Sequence, residues 1–81
     1  MKIRLRMFAV LRDRSGISQT EIELADGATV ATAMEEVGRR FLGIVELLPR
    51  TAAAVNLCYA KPATILRDGD ELALIPPVSG G

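Results

Sequence analysis

The sequence predicts an α+β domain in which one main helix covers one face of a mixed sheet of four or five strands. Apolar and charged residues alternate in 3–7 and again in 20–24, which is the period of a half-buried strand. Apolar residues recur at helical spacing in 30–41. The 81 residues are enough for one small domain, so this helix must serve as the cover of the sheet.

The first two strands are predicted at 3–7 and 20–24. The alternation of the first strand slips at Phe8, which falls on the charged face. The segment RDRSG at 12–16 has the polar and glycine-containing composition of a turn. We therefore expect the two strands to form a hairpin.

The main helix is predicted to begin after Thr29, whose hydroxyl can accept a hydrogen bond from a free backbone N–H of the first turn. Gly43 is expected to end the helix. The segment 44–50 is ambiguous, and one interpretation is a short helical turn stopped by Pro49. The apolar face of the helix consists of Val30, Ala33, Met34, Val37 and Phe41.

The second half of the chain predicts a third strand at 52–60, then a weak or short strand, and a last strand at 71–75. The segment RDGDE at 67–71 contains Asp-Gly, which strongly favours a tight turn. One helix among these strands, in this order, is the arrangement of a β-grasp, or ubiquitin-like, domain.

The predicted domain spans 1–75, and 76–81 is predicted to be a projecting tail. If the first and last strands pair in the centre of the sheet, this tail leaves from the middle of the molecule. Pro76 and Pro77 end the last strand, because proline cannot donate to a sheet ladder.

The composition excludes several classes of function. Ten basic and ten acidic residues give a formal net charge of zero, and aromatic residues make up 4% of the chain, so we expect no nucleic-acid partner. The chain has no histidine, and Cys58 is its single cysteine, so we expect no metal site and no disulfide framework. Cys58 itself is expected to be a buried small hydrophobic residue. Lys and Arg interrupt the apolar residues of 1–10, so we expect neither a signal peptide nor a membrane span, and a cytoplasmic location.

The tail predicts that a terminal carboxylate is the reactive group. A free carboxylate is a poor electrophile and must first become an ester or a mixed anhydride, such as an acyl-adenylate. The chain has no Gly-Lys phosphate loop for ATP, so another protein must activate it. Gly80 and Gly81 let such a protein close around the backbone, and Pro76 and Pro77 favour an extended exit. Fully extended, 76–81 could reach roughly 20 Å. A frayed and inert chain end is the alternative interpretation.

A docking surface is predicted at the base of the tail. Both faces of the last strand are apolar, yet one helix can bury only one face of the sheet. Phe8, Tyr59 and Ile75 are therefore expected to form an exposed apolar patch that binds a partner. Cover by sheet curvature or by 44–50 is the alternative.

Three segments resemble the small, sulfur-carrier subunit of molybdopterin synthase, a family of ubiquitin-like β-grasp proteins. They are AVN at 54–56, DGDELALIPPVSGG at 68–81 and IRLRMFAVLRDRSG at 3–16. The resemblance spans the whole chain, and its most specific part is DGDE followed by an apolar strand and PPVSGG.

The resemblance implies that the chain is the sulfur-donating subunit of a heteromeric sulfurtransferase and is not catalytic alone. An E1-like adenylyltransferase would use ATP to adenylate Gly81, which would then become a thiocarboxylate. Inside the large catalytic subunit, the sulfur would pass to cyclic pyranopterin monophosphate during molybdenum cofactor biosynthesis. The chain itself would bind no cofactor. The residues expected to contact partners, besides Phe8, Tyr59 and Ile75, are Pro76, Pro77, Val78 and Ser79.

Three other functions remain open from the residues. The chain could carry sulfur for thiamine, for cysteine or for tRNA thiolation. It could instead be a ubiquitin-like modifier that forms isopeptide bonds with lysines, or a binding-only β-grasp module with an inert tail.

Overall fold

A computed structural model describes residues 1–77 of the chain. In this part the chain forms five strands, two α-helices and one 3₁₀ helix. In chain order the elements are β1 (Lys2–Met7), α1 (Ala9–Ser15), β2 (Gln19–Glu23), α2 (Val30–Arg40), the 3₁₀ helix (Leu42–Arg50), β3 (Ala52–Val55), β4 (Cys58–Ala60) and β5 (Glu71–Ile75). The α+β class and the β-grasp arrangement predicted from the sequence are confirmed.

The sheet is mixed, with the strand order β2-β1-β5-β3-β4. β1 and β5 run parallel, with Leu5 opposite Leu72, and the other neighbouring strands are antiparallel. The first and last strands therefore pair inside the sheet, as expected. Because β5 is the third of five strands, Pro76 leaves from the middle of the molecule.

Helix α2 is the main cover of the sheet. Its N-cap is Thr29, whose Oγ1 accepts a hydrogen bond from the N–H of Thr32 at 3.3 Å, as the sequence predicted. The helix buries one stripe of small and branched side chains against the core-facing residues of β1 and β5. This core includes Ile3, Leu5, Val30, Ala33, Val37, Leu72 and Leu74.

The predicted turn at 12–16 is wrong, because most of this segment belongs to α1. β1 and β2 are antiparallel neighbours as predicted, but a helix joins them in place of a tight turn. The helix ends at Gly16, whose φ of 82° is a left-handed conformation that glycine adopts without steric cost. Leu11 is its one buried residue, so the segment shows no helical period that the sequence could reveal.

The segment after α2 is a 3₁₀ helix, so the interpretation of 44–50 as a helical turn is confirmed, and the helix ends at Arg50, one residue after Pro49. Gly43 lies inside this helix and does not end α2, which ends at Arg40. A Cβ on Gly43 would lie 3.2 Å from the carbonyl oxygen of Arg14 in α1. Ile44 belongs to the same core as the residues of α2. The 3₁₀ helix thus packs on the helix side of the sheet.

The predicted third strand is two strands, β3 and β4, joined by a two-residue turn at Asn56 and Leu57. Both turn residues have positive φ, 49° and 71°. No strand forms in 61–66, where Ile65 makes only an isolated bridge to Thr29. The weak or short strand predicted before the last strand is β4, which has three residues and lies within 52–60.

The turn before β5 is confirmed. Asp70 Oδ2 accepts a hydrogen bond from the N–H of Arg67 at 2.8 Å, and Gly69 has a φ of 85°. Asp68 Oδ1 accepts from the N–H of Lys2 at 2.7 Å, which ties the turn to β1. No helix within residues 1–77 is long and apolar enough to cross a membrane.

Candidate functional site

One face of the sheet is open within residues 1–77. Leu11 of α1, Val37 of α2 and Ile44 of the 3₁₀ helix all belong to one core cluster, which also holds Leu5 and Leu72. The helices therefore cover the same face of the sheet. We call the opposite side, formed by the residues that alternate with this core, the open face.

The strand register arranges the open face in rows that cross the sheet. The row through its centre consists of Tyr59, Ala54, Ala73 and Arg6, from β4 across to β1. Ala54 and Ala73 are only 6% and 8% exposed, although they lie outside the core cluster. Tyr59 is 78% exposed. The two alanines thus form a low floor between larger side chains.

The next row of the open face, nearer to the predicted tail, holds the apolar residues at the base of that tail. Ile75 lies opposite Ala52 and is half-buried. Phe8 directly follows Met7, the partner of Leu74, so it reaches the same level of the sheet as Ile75. It is 37% exposed, and the guanidinium carbon of Arg6 lies 5.2 Å from the centre of its ring, within range of a cation–π contact.

The predicted patch is therefore present on one face but is not continuous. Ile75 ends β5 and Phe8 follows the end of the neighbouring strand β1, whereas Tyr59 lies three strand spacings from β1, roughly 14 Å away. The 3₁₀ helix, which contains 44–50, packs on the other side of the sheet, so the alternative that it covers the patch is wrong. The role of Phe8, Tyr59 and Ile75 in binding a partner stays a prediction.

The chain leaves the sheet directly above this row. Pro76 is half-buried against the domain, and Pro77 is exposed. The remaining predicted site residues, Val78, Ser79, Gly80 and Gly81, lie outside the described residues, so their roles stay predictions. Pro76 and Pro77 are thus the part of the predicted tail, 76–81, that the structure describes.

Charged side chains occupy the half of the open face that lies farther from the tail. Arg4 projects from β1 between Glu21 of β2 and Glu71 of β5, whereas Arg6 lies in the next row, between Gln19 and Ala73. Arg6 Nη1 lies 3.8 Å from Glu71 Oε1, whereas Arg4 makes no ion pair with any residue of 1–77. Both arginine side chains are available to a docked protein, because Arg6 is half-exposed and its ion pair is long.

Asn56 fastens the hairpin of β3 and β4 to the start of β5, a role that sequence reasoning missed. Its Oδ1 accepts from the N–H of Glu71 at 3.0 Å, and its Nδ2 donates to Asp70 Oδ1 at 2.9 Å. Its own N–H donates to the carbonyl oxygen of Glu71 at 2.9 Å. The sequence signal for this role is the asparagine that ends AVN, a segment that contributed above only to the family resemblance.

Cys58 is exposed, so the prediction that it is buried is wrong. β4 forms one edge of the sheet, so its side chains have a neighbouring strand on one side only. No group of three His, Cys, Asp or Glu residues within 1–77 could hold a metal ion.

The profile of the ThiS family matches residues 5–81. Two similar proteins are both named molybdopterin synthase sulfur carrier subunit. The one from Chlamydomonas reinhardtii is 32% identical over 83 residues, and the match covers all of both chains. The one from Arabidopsis thaliana is 30% identical over 81 residues and covers 100% of this chain and 84% of the relative.

Solved structures agree with this relationship. SAMP1 from Haloferax volcanii matches with a TM-score of 0.90 and 25% identity, with both chains fully covered. A putative molybdopterin converting factor, subunit 1, from Pyrococcus furiosus matches with a TM-score of 0.87 and 31% identity over 96% of this chain and 99% of that one. A complex of subunits 1 and 2 of the molybdopterin-converting factor from Helicobacter pylori holds a chain that matches with a TM-score of 0.71 and 26% identity, with full coverage of both chains. By fold, profile and full-length relatives, this chain belongs to the ThiS family of ubiquitin-like β-grasp proteins, among relatives that are sulfur carrier subunits of molybdopterin synthase.

Proposed function

We propose that this chain carries sulfur for molybdopterin synthase as a thiocarboxylate at Gly81. The observation that carries the proposal is the full-length similarity to relatives named sulfur carrier subunits. The fold supports it, because the central strand β5 leads into Pro76 and Pro77 beside an open face that a partner can reach.

The proposed reaction begins with activation by an E1-like adenylyltransferase. The Gly81 carboxylate attacks the α-phosphate of ATP, pyrophosphate leaves, and an acyl-adenylate forms. A sulfur donor at the oxidation level of sulfide then attacks the acyl carbon, and AMP leaves with the electron pair of the broken C–O bond. The product is a thiocarboxylate, whose sulfur is a nucleophile that stays attached to the protein. Because this activation consumes ATP, we propose that it takes place in the cytoplasm.

The second stage takes place in the large catalytic subunit of molybdopterin synthase. The thiocarboxylate sulfur displaces an oxygen substituent from a carbon of cyclic pyranopterin monophosphate, and that oxygen takes the electron pair of the broken C–O bond. Water then cleaves the bond between the acyl carbon and sulfur, so the sulfur stays on the pterin. This hydrolysis restores the Gly81 carboxylate for another cycle. We assign docking of the large subunit to the open face, where Phe8, Tyr59 and Ile75 would make the apolar contacts. Pro76, Pro77, Val78 and Ser79 would lead the tail into the active site.

The test is the intact mass of the protein purified from its native host. Replacement of one carboxylate oxygen by sulfur is the expected mass change, and deletion of Gly81 should abolish it together with molybdopterin formation. The matched control is Cys58→Ser, which removes the exposed thiol and should leave the mass change in place. Normal molybdopterin synthesis by the chain without Gly81 would refute the proposal.

A ubiquitin-like protein modifier is a second candidate, favoured by the match to SAMP1, the small archaeal modifier protein 1 of Haloferax volcanii, whose TM-score is 0.90. In that case the activated Gly81 would form an isopeptide bond with a lysine amine. Peptides that carry the tail on lysine, from cells in which no thiocarboxylate is found, would favour this function over sulfur transfer.

A further inference from the structure

Leu57 stands at the tip of the β3–β4 turn, where neither burial nor backbone geometry favours a leucine. The side chain is 85% exposed, more than the exposed Tyr59 at 78%. Two-residue turns in which both φ angles are positive prefer glycine at the second position. Leu57 occupies that position with a φ of 71°, where its Cβ is crowded by the backbone. A leucine at this tip therefore brings the domain itself no visible benefit.

The tip is held firmly at one end of the open face. Asn56 fastens the turn to Asp70 and Glu71 through its side chain. Leu57 borders a surface hollow of about 320 Å³ that is also lined by Arg4, Arg6 and Glu71. The turn that carries the leucine is thus tied to the start of β5, and Leu57 lies beside arginine side chains.

We propose that Leu57 is an anchor for the large subunit of molybdopterin synthase, which receives it in an apolar socket with an acidic rim. The proposal rests on the proposed function and extends the docking surface to a residue that the sequence did not single out. The acidic rim of the partner's socket is inferred from the charge of this chain. Two arginines and one glutamate line the hollow, and Arg4 has no ion pair within residues 1–77. Carboxylates on the partner would complement the excess of positive charge.

The position of Leu57 explains what such an anchor contributes. It lies beside Glu71 at the start of β5, whereas Ile75 ends the same strand, roughly 13 Å farther along. Contacts at both ends of β5 prevent the domain from pivoting on its partner. The direction in which 76–81 leaves the domain would then be fixed relative to the active site.

The test substitutes Leu57→Gly and measures both stability and binding to the purified large subunit. Removal of an apolar anchor should weaken binding about tenfold. Glycine suits the backbone of the turn, so the melting temperature should rise by about 2 °C. The matched control is Leu42→Ala, which truncates a leucine that is 76% exposed in the 3₁₀ helix and should leave binding unchanged.

The outcomes separate this inference from the proposed function. If Ile75→Asp disrupts binding while Leu57→Gly binds normally, the role of Leu57 is overturned and the proposed function stands. A fall in the melting temperature of Leu57→Gly would also overturn that role, because the leucine would then serve the fold. If the wild-type chain itself fails to bind the large subunit, both are overturned.

Discussion

Asn56→Ala should destabilise the domain far more than a substitution at an exposed turn normally does. Alanine removes two side-chain hydrogen bonds, to Glu71 at 3.0 Å and to Asp70 at 2.9 Å. At an exposed site these contribute about 0.5 kcal/mol each. Alanine also tolerates the φ of 49° less well than asparagine does, at a cost of about 1 kcal/mol. The free energy of unfolding should therefore fall by about 2 kcal/mol.

For a domain of this size, the loss corresponds to a fall of about 10 °C in the melting temperature. Thermal unfolding followed by circular dichroism measures it directly. Asn56→Gly is the matched control, because glycine loses the hydrogen bonds but accepts the left-handed backbone, and its melting temperature should fall about half as far. If Asn56→Ala melts within about 2 °C of the wild-type domain, the fastening of β5 by this side chain is refuted.

Two further substitutions test the packing and the docking surface. Gly43→Ala would place a methyl group 3.2 Å from the carbonyl oxygen of Arg14, so the free energy of unfolding should fall by about 1 kcal/mol. An unchanged midpoint of urea unfolding would contradict the close contact of α1 with the 3₁₀ helix. Ile75→Asp should weaken binding of the large subunit at least about tenfold, because it places a carboxylate among the apolar residues at the base of the predicted tail. Calorimetric titration measures this effect, and unimpaired binding would remove Ile75 from the docking surface.

The elements with a clear period were predictable from the sequence. Alternation revealed β1 and β2, and the spacing of apolar residues with a threonine cap revealed α2. Helix α1 was not predicted, because it buries only Leu11 and begins directly after a strand. The turn between β3 and β4 was not predicted, because neither Asn56 nor Leu57 is a glycine. The mostly apolar segment 52–60 was therefore interpreted as one strand.

The candidate site was predictable where a pattern broke. Phe8 and Ile75 were found because each places an apolar side chain on a face that one helix cannot cover, and both lie on the open face. Leu57 gave no such signal, since a leucine in a turn interrupts no alternation. The burial of Cys58 was misjudged because a sequence does not reveal which strand forms the edge of the sheet.

The parallel pairing of β1 with β5 also bears on how the domain acquires its shape during synthesis. Without β5, the ribbon of β2 and β1 and the ribbon of β3 and β4 have no strand to join them. Contacts between strands so far apart in the chain form slowly, because a long loop must close first. A nascent polypeptide that has not yet reached Glu71 therefore lacks a continuous sheet and the core residues Leu72 and Leu74, and premature termination products should be recognised as unfolded by the proteases of the cell.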